Sequence, residues 1–204
     1  MPQPPTPTPK AADRILNTAS ELFYREGSRA VGVDEIVARA ATTKPSLYRA
    51  FGSKDQLIAA YLEAQAVQLW SLFEGTAGSH PNDPRAQILA YFDALAERME
   101  APAYRGCGLS NAAVEYPDPK HPGRVVAVAH KDQMRKRLRA LTRGMDARKP
   151  KKLADSLMLL MEGAFVTRQL FDGAGPAGAA RGAAEALIAA HARRATGEND
   201  DQEG

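Results

Sequence analysis

Thr43, Lys44, Ser46, Tyr48 and Arg49 put two aliphatic hydroxyls, a phenol and two fixed cations on one short stretch, and Lys54 adds a third cation just beyond it. Hydroxyls and ammonium groups donate to phosphate oxygens, and a guanidinium can pair bidentately with a guanine edge. No nucleophile stands beside a base here, and no metal-ligand spacing is present, so the chemistry on offer is recognition of an anion rather than bond cleavage. Arg29, further upstream, reads equally as a contact to the same anion or as an ordinary surface residue.

These groups need helices to present them. Ile15, Leu16, Ala19, Leu22 and Phe23 recur at steps of three and four, the apolar stripe of a helix beginning at Ala11, and Gly27 ends it. Val33, Ile36, Val37 and Ala40 make a second short helix, with Asp34 and Glu35 in the first turn, where acids complement the helix dipole. Gly32 is its N-cap and supplies no side-chain oxygen. Ala41-Thr42 forms the turn. Thr43 caps a third helix over Lys44–Ala50, with Pro45 in the first turn, where a missing N–H costs nothing. Leu47 and Phe51 point inward, leaving Lys44, Ser46, Tyr48 and Arg49 outside. Two short helices joined by such a turn match a helix-turn-helix, whose second helix enters the major groove of DNA. The same spacing also suits a small three-helix core with a solvated polar face.

The stretch resembles the N-terminal domain of the TetR family of transcriptional regulators. The likeness covers residues 11–60 and rests on Ile15, Ala19, Phe23, Gly27, Ile36, Ala40, Leu47, Tyr48, Phe51, Ser53, Lys54 and Leu57. Its most diagnostic part is Lys44–Phe51 followed by Ser53-Lys54. Gly32 departs from the family's usual Ser or Thr, and Ala41 from its usual Gly, which predicts a strained turn. The resemblance implies that Thr43, Lys44, Pro45, Ser46, Tyr48, Arg49, Lys54 and Arg29 form the DNA-binding face, with Tyr48 and Lys54 on phosphate. It further implies an all-α chain of about nine helices, a homodimer on a palindromic operator in double-stranded DNA, and a small-molecule effector that changes DNA affinity.

Composition agrees. The formal net charge is +3 and the pI about 9.0, mildly basic. One cysteine excludes an internal disulfide, and no long apolar run or signal peptide is seen, so a cytoplasmic protein without membrane contact is expected. The expected domains are a disordered proline-rich tail at 1–10, the reading head at 11–55, an effector and dimerisation domain at 56–195, and a disordered acidic tail at 196–204. Helices are expected over 54–73, 85–100, 107–115, 124–145, 150–172 and 177–194, with a loop across 75–84.

Within the second domain, Leu157–Val166 is apolar nearly all round and must be covered on more than one side. Leu157, Leu160, Ala164, Ala184, Leu187 and Ile188 are the expected dimer contacts, the alternative being burial within one subunit. Trp70, Phe73, Tyr91, Phe92, Cys107, Met134 and Phe165 are candidate effector contacts or plain core. Asn111 and Glu115 share a helix face, either as polar anchors for that effector or, for Glu115, as a cap or a partner of a nearby arginine. The basic run from Lys131 to Lys152 reads as a solvated face, with an acidic partner or a wider DNA footprint as alternatives. Cys107, Glu115, His121 and His130 lack metal-site spacing, so no metal and no cofactor are expected. No nucleophile elbow, phosphate loop or dinucleotide fingerprint is present, so no catalytic residues are assigned. The rival non-enzymatic reading is a helical adaptor that keeps the fold without reading DNA.

Overall fold

The protein is described here by a computed structural model, whose described residues are 10–171 and 175–193. The expected tails fall outside them, apart from Lys10. Among the described residues the chain is all helical: α1 (Ala11–Glu26), α2 (Val33–Arg39), α3 (Lys44–Phe51), α4 (Lys54–Gly78), α5 (Pro84–Met99), α6 (Gly108–Glu115), α7 (Pro122–Gly144), α8 (Pro150–Leu170), a 3-10 turn at Pro176–Ala179, and α9 (Ala180–Ala190). They fall into two compact units. One holds residues up to Glu74 with Arg98–Gln133, the other Gly75–Glu97 with the residues from Met134 onward.

In the first unit, Ile15, Ala19, Leu22 and Phe23 of α1 meet Ile36 and Val37 of α2 and Leu47 of α3, all buried. Fully burying a side chain such as Leu47 contributes roughly 1.5–3 kcal/mol. Phe23 packs edge-on against Tyr61 of α4, ring centroids 5.7 Å apart. Ala41 adopts φ 49°, the left-handed conformation that its β-carbon disfavours. Arg14 holds that turn in place, its guanidinium donating to the carbonyls of Ala40 and Ala41 at 3.2 and 3.4 Å. At Gly108 an added β-carbon would lie 2.2 Å from Gln65 Oε1 and 2.8 Å from the Tyr61 hydroxyl, so glycine lets the start of α6 approach α4 closely.

In the second unit α8 packs on α9 and the 3-10 turn. Ion pairs of Arg181 with Asp93 and of Arg85 with Glu185 tie α9 to α5. The basic run is not simply a solvated face. Arg135 grips Asp155 of α8 with two bonds of 2.8 Å, and Arg139 adds contacts at 2.9 and 3.1 Å. Hydrogen bonds from both arginines hold the Asp155 carboxyl well below the usual carboxylate range.

Several boundaries differ from the sequence reading, most at α4 and α9. α4 continues through Gly75 to Gly78, because Leu69, Phe73 and Ala77 carry one buried stripe past the glycine. That burial outweighs glycine's helix penalty of about 1 kcal/mol. The last helix begins later, at Ala180, because Pro176 opens a tighter 3-10 turn first.

Candidate nucleic-acid interface

The exposed edge of α3 is set by its start. Thr43 is extended (φ −126°, ψ 155°), and its Oγ1 accepts from Ser46 N–H at 3.4 Å and lies 3.0 Å from Ser46 Oγ. The two hydroxyls are therefore partly used as a helix cap. Pro45 sits in the first turn with Thr43, and both are exposed. Buried Leu47 sets the rotation of the helix and turns Tyr48 outward, 47% exposed, with Arg49 exposed beside it. Arg49 makes no ion pair among the described residues.

Lys44 is not free. Its ammonium lies 2.6 Å from Asp34 of α2, and hydrogen bonding and charge from that carboxylate raise the Lys44 pKa. Asp34, which the sequence suggests only as a helix-dipole acid, thus covers one of the cations of α3. The spacing along the chain carried no signal of it, since the pairing depends on how α2 and α3 cross.

Lys54 and Arg29 come together, the Lys54 ammonium donating to Arg29 O at 3.5 Å. The Arg29 guanidinium lies 5.9 Å from the centre of the Tyr116 ring. Its backbone N–H donates to Glu115 Oε1 at 2.7 Å, and Ser28 Oγ donates to Glu115 Oε2 at 2.9 Å. Because the Ser28 proton is committed, the Tyr116 hydroxyl donates to Ser28 Oγ at 2.8 Å. Burial raises the Tyr116 pKa, and the Glu115 charge adds to that shift. Tyr116 also stacks on His121 at 3.7 Å, and His121 Nε2 faces Asp55 at 3.5 Å. Sequence reasoning missed Ser28, Tyr116 and Asp55.

Of the candidate effector contacts, Glu115 anchors the α1–α2 loop through the Ser28 hydroxyl and the Arg29 backbone N–H. Asn111 is exposed and donates to Arg105 O at 2.8 Å. Cys107 is buried with the Lys131 ammonium 3.6 Å from its sulfur. Phe73 is buried against Trp70, ring centroids 5.6 Å apart. Trp70 lines a cavity of about 610 Å³ between α4 and α7, with Val67, Val126, His130 and Gln133. Tyr91, Phe92, Met134 and Phe165 are buried in the other unit.

The expected dimer contacts divide by burial. Leu157, Ala164, Ala184 and Ile188 are buried within the chain, because α8 and α9 pack those faces on each other and on their own unit. Leu160 and Leu187 are partly exposed. The apolar surface left open on α8 is instead Leu159, Val166 and Leu170, 74%, 52% and 69% exposed.

A polar-edged helix seated on a three-helix core, with a tyrosine and an arginine facing out, defines a helix-turn-helix regulator of the DNA-binding class. Residues 15–61 match the family model for bacterial regulatory proteins of the tetR family. Among solved structures, the chain is similar to SCO4454, a TetR-family transcriptional regulator from Streptomyces coelicolor, with 31% identity, a TM-score of 0.85, and coverage of 90% of this chain and 96% of that one. A second similar structure, a tetR-type regulator (sav143) from Streptomyces avermitilis, shares 27% identity with a TM-score of 0.76, covering 90% and 98%. The chain belongs to the TetR family of transcriptional regulators.

Curated relatives include the transcriptional activator FasR of Mycolicibacterium smegmatis, 36% identical over 90 residues, which are 43% of this chain and 41% of that protein. Another is the transcriptional repressor Rv3405c of Mycobacterium tuberculosis, 34% identical over 73 residues, 36% of this chain and 39% of that protein. The matches thus span about two fifths of the length of these relatives. Family and relatives are regulators, not enzymes.

Proposed function

We propose that the protein is a cytoplasmic repressor that binds a palindromic operator as a homodimer and is released by a small molecule. The observation that carries this reading is the presentation of α3: Leu47 buried, Thr43 capping, Tyr48 and Arg49 facing out. Thr43, Lys44, Pro45, Ser46, Tyr48, Arg49 and Lys54 make the DNA contacts, with Arg49 on a base edge and Tyr48 and Lys54 on phosphate. Arg29 contributes through its contact with Lys54.

Self-association is supported by the open stripe Leu159, Val166, Leu170 on α8 and by exposed small residues Gly182, Ala186 and Ala189 on α9. A two-fold symmetric pair of α3 helices suits an operator whose half-sites lie about 34–36 Å apart, one turn of DNA. The cavity at Trp70 is of a size that suits a metabolite. An effector held there lowers DNA affinity by its differential binding to the two states of the dimer. Among described residues no helix is long and apolar enough to cross a membrane.

Selection of bound duplexes from random DNA by the purified full-length chain tests this. A recovered palindrome with half-sites about one helical turn apart supports the reading. Recovery of no enriched sequence at low salt removes it and leaves the adaptor.

A further inference from the structure

A cleft of about 350 Å³ lies in the first unit, away from α3 and distinct in its lining from the Trp70 cavity. Ser20 and Tyr24 of α1 form one wall, Tyr61 and Gln68 of α4 another, and Arg98 with Tyr104 the rest. The volume is at the low end for metabolite sites. A cavity of roughly 150 Å³ already holds benzene, so one ring with a polar substituent fits here.

The lining combines apolar surface with polar side chains that have spare capacity. The side chains of Ser20, Gln68 and Arg98 have no hydrogen-bond or ion-pair partner among the described residues. Burial pushes the Tyr61 hydroxyl up, and Arg98 lines the same cleft. The Tyr24 hydroxyl donates to Gly106 O at 3.3 Å and accepts from Arg105 N–H at 3.0 Å, so the loop at the cleft mouth is tied to α1. In that loop Ala103 stands at φ 60°, a left-handed conformation disfavoured for a residue with a β-carbon. Such strain concentrates at ligand clamps.

We propose that this cleft is a second small-molecule site, taking a one-ring aromatic carboxylate. The carboxylate pairs with the Arg98 guanidinium, whose planar fork matches it. The Ser20 hydroxyl and Gln68 amide complete the polar end, and the tyrosine rings flank the ligand ring. A single guanidinium, with the Glu21 carboxylate also lining the cleft, disfavours a dianion such as a phosphate monoester.

The test is calorimetry and amide chemical-shift mapping on the full-length chain with benzoate, 4-hydroxybenzoate and phenylacetate, beside phenyl phosphate and 4-hydroxybenzyl alcohol. At least one carboxylate should bind, shifting amides of Ser20, Tyr24, Gln68 and Tyr104. Arg98→Gln should weaken that carboxylate about tenfold or more, the loss expected for a charge-assisted pair, and leave the neutral alcohol unchanged. Ala64→Trp, which fills the cleft, should abolish both while helical content stays intact. The proposal fails if no carboxylate binds below about 10 mM, if Arg98→Gln has no effect, if the shifts map to Trp70 and Val126, or if phenyl phosphate binds tighter than every carboxylate. None of these readouts involves DNA.

Discussion

Glu115 accepts the backbone N–H of Arg29 at 2.7 Å, across 86 residues of chain. Together with the Ser28 hydroxyl bond, this makes a carboxylate on α6 the anchor of the loop that leads into the helix-turn-helix. Glu115→Ala should lower stability by about 1–2 kcal/mol in urea unfolding, since two bonds to a charged acceptor are lost at a half-exposed site. Glu115→Gln should recover part of it. Equal stability of all three proteins would mean that water satisfies the loop as well as the carboxylate does.

Asp34 neutralises Lys44 at 2.6 Å. Asp34→Asn should therefore raise affinity for any duplex and steepen the dependence of log affinity on log salt by up to about 0.9, one phosphate's worth. Fluorescence anisotropy at several salt concentrations measures it. A slope equal to that of the parent chain would show that Lys44 leaves Asp34 on binding without help.

Lys54 and Arg49 separate the two kinds of DNA contact. Lys54→Ala should weaken all sequences similarly and flatten the salt slope by about 0.9. Arg49→Ala should cost about 1–3 kcal/mol on the selected operator and relax preference at one base pair. Reversal of these two patterns would exchange their roles.

Asp155 ties stability to acid. Its folded pKa is depressed by Arg135 and Arg139, so its contribution is complete above the ordinary carboxylate range and disappears as pH falls through the folded value. Asp155→Asn should lower the melting temperature at pH 7 and lower it by a smaller amount at pH 2.5, which lies between the unfolded and folded values. The same difference at both pH values would mean that the carboxylate charge is not what the arginines hold.

The α8 surface distinguishes interface from core. Val166→Glu, at an exposed position, should yield folded monomers by light scattering and circular dichroism. Leu157→Glu, at a fully buried one, should unfold the chain. A dimeric Val166→Glu protein would move the interface off this stripe.

Most of the reading head was legible from local chemistry. The periodic apolar residues of α1, the Thr43 cap, Pro45 in the first turn and the outward Tyr48 and Arg49 all follow from helix geometry within a few residues, which is why they could be read in order along the chain. The strained Ala41 turn was legible only through the family resemblance, which has glycine where this chain puts a β-carbon at positive φ.

What the linear order could not decide was which partners distant helices bring. Lys44 meets Asp34, Glu115 meets Arg29, and Asp155 gathers Arg135 and Arg139, each through the crossing of separate helices. The same limit explains the dimer residues. An all-apolar α8 announces that two faces need cover, but only packing against α9 decided that Leu157 and Ala164 face inward and Leu159 and Val166 outward. Periodicity names the faces of a helix; the rotation that chooses between them is a property of the packed core.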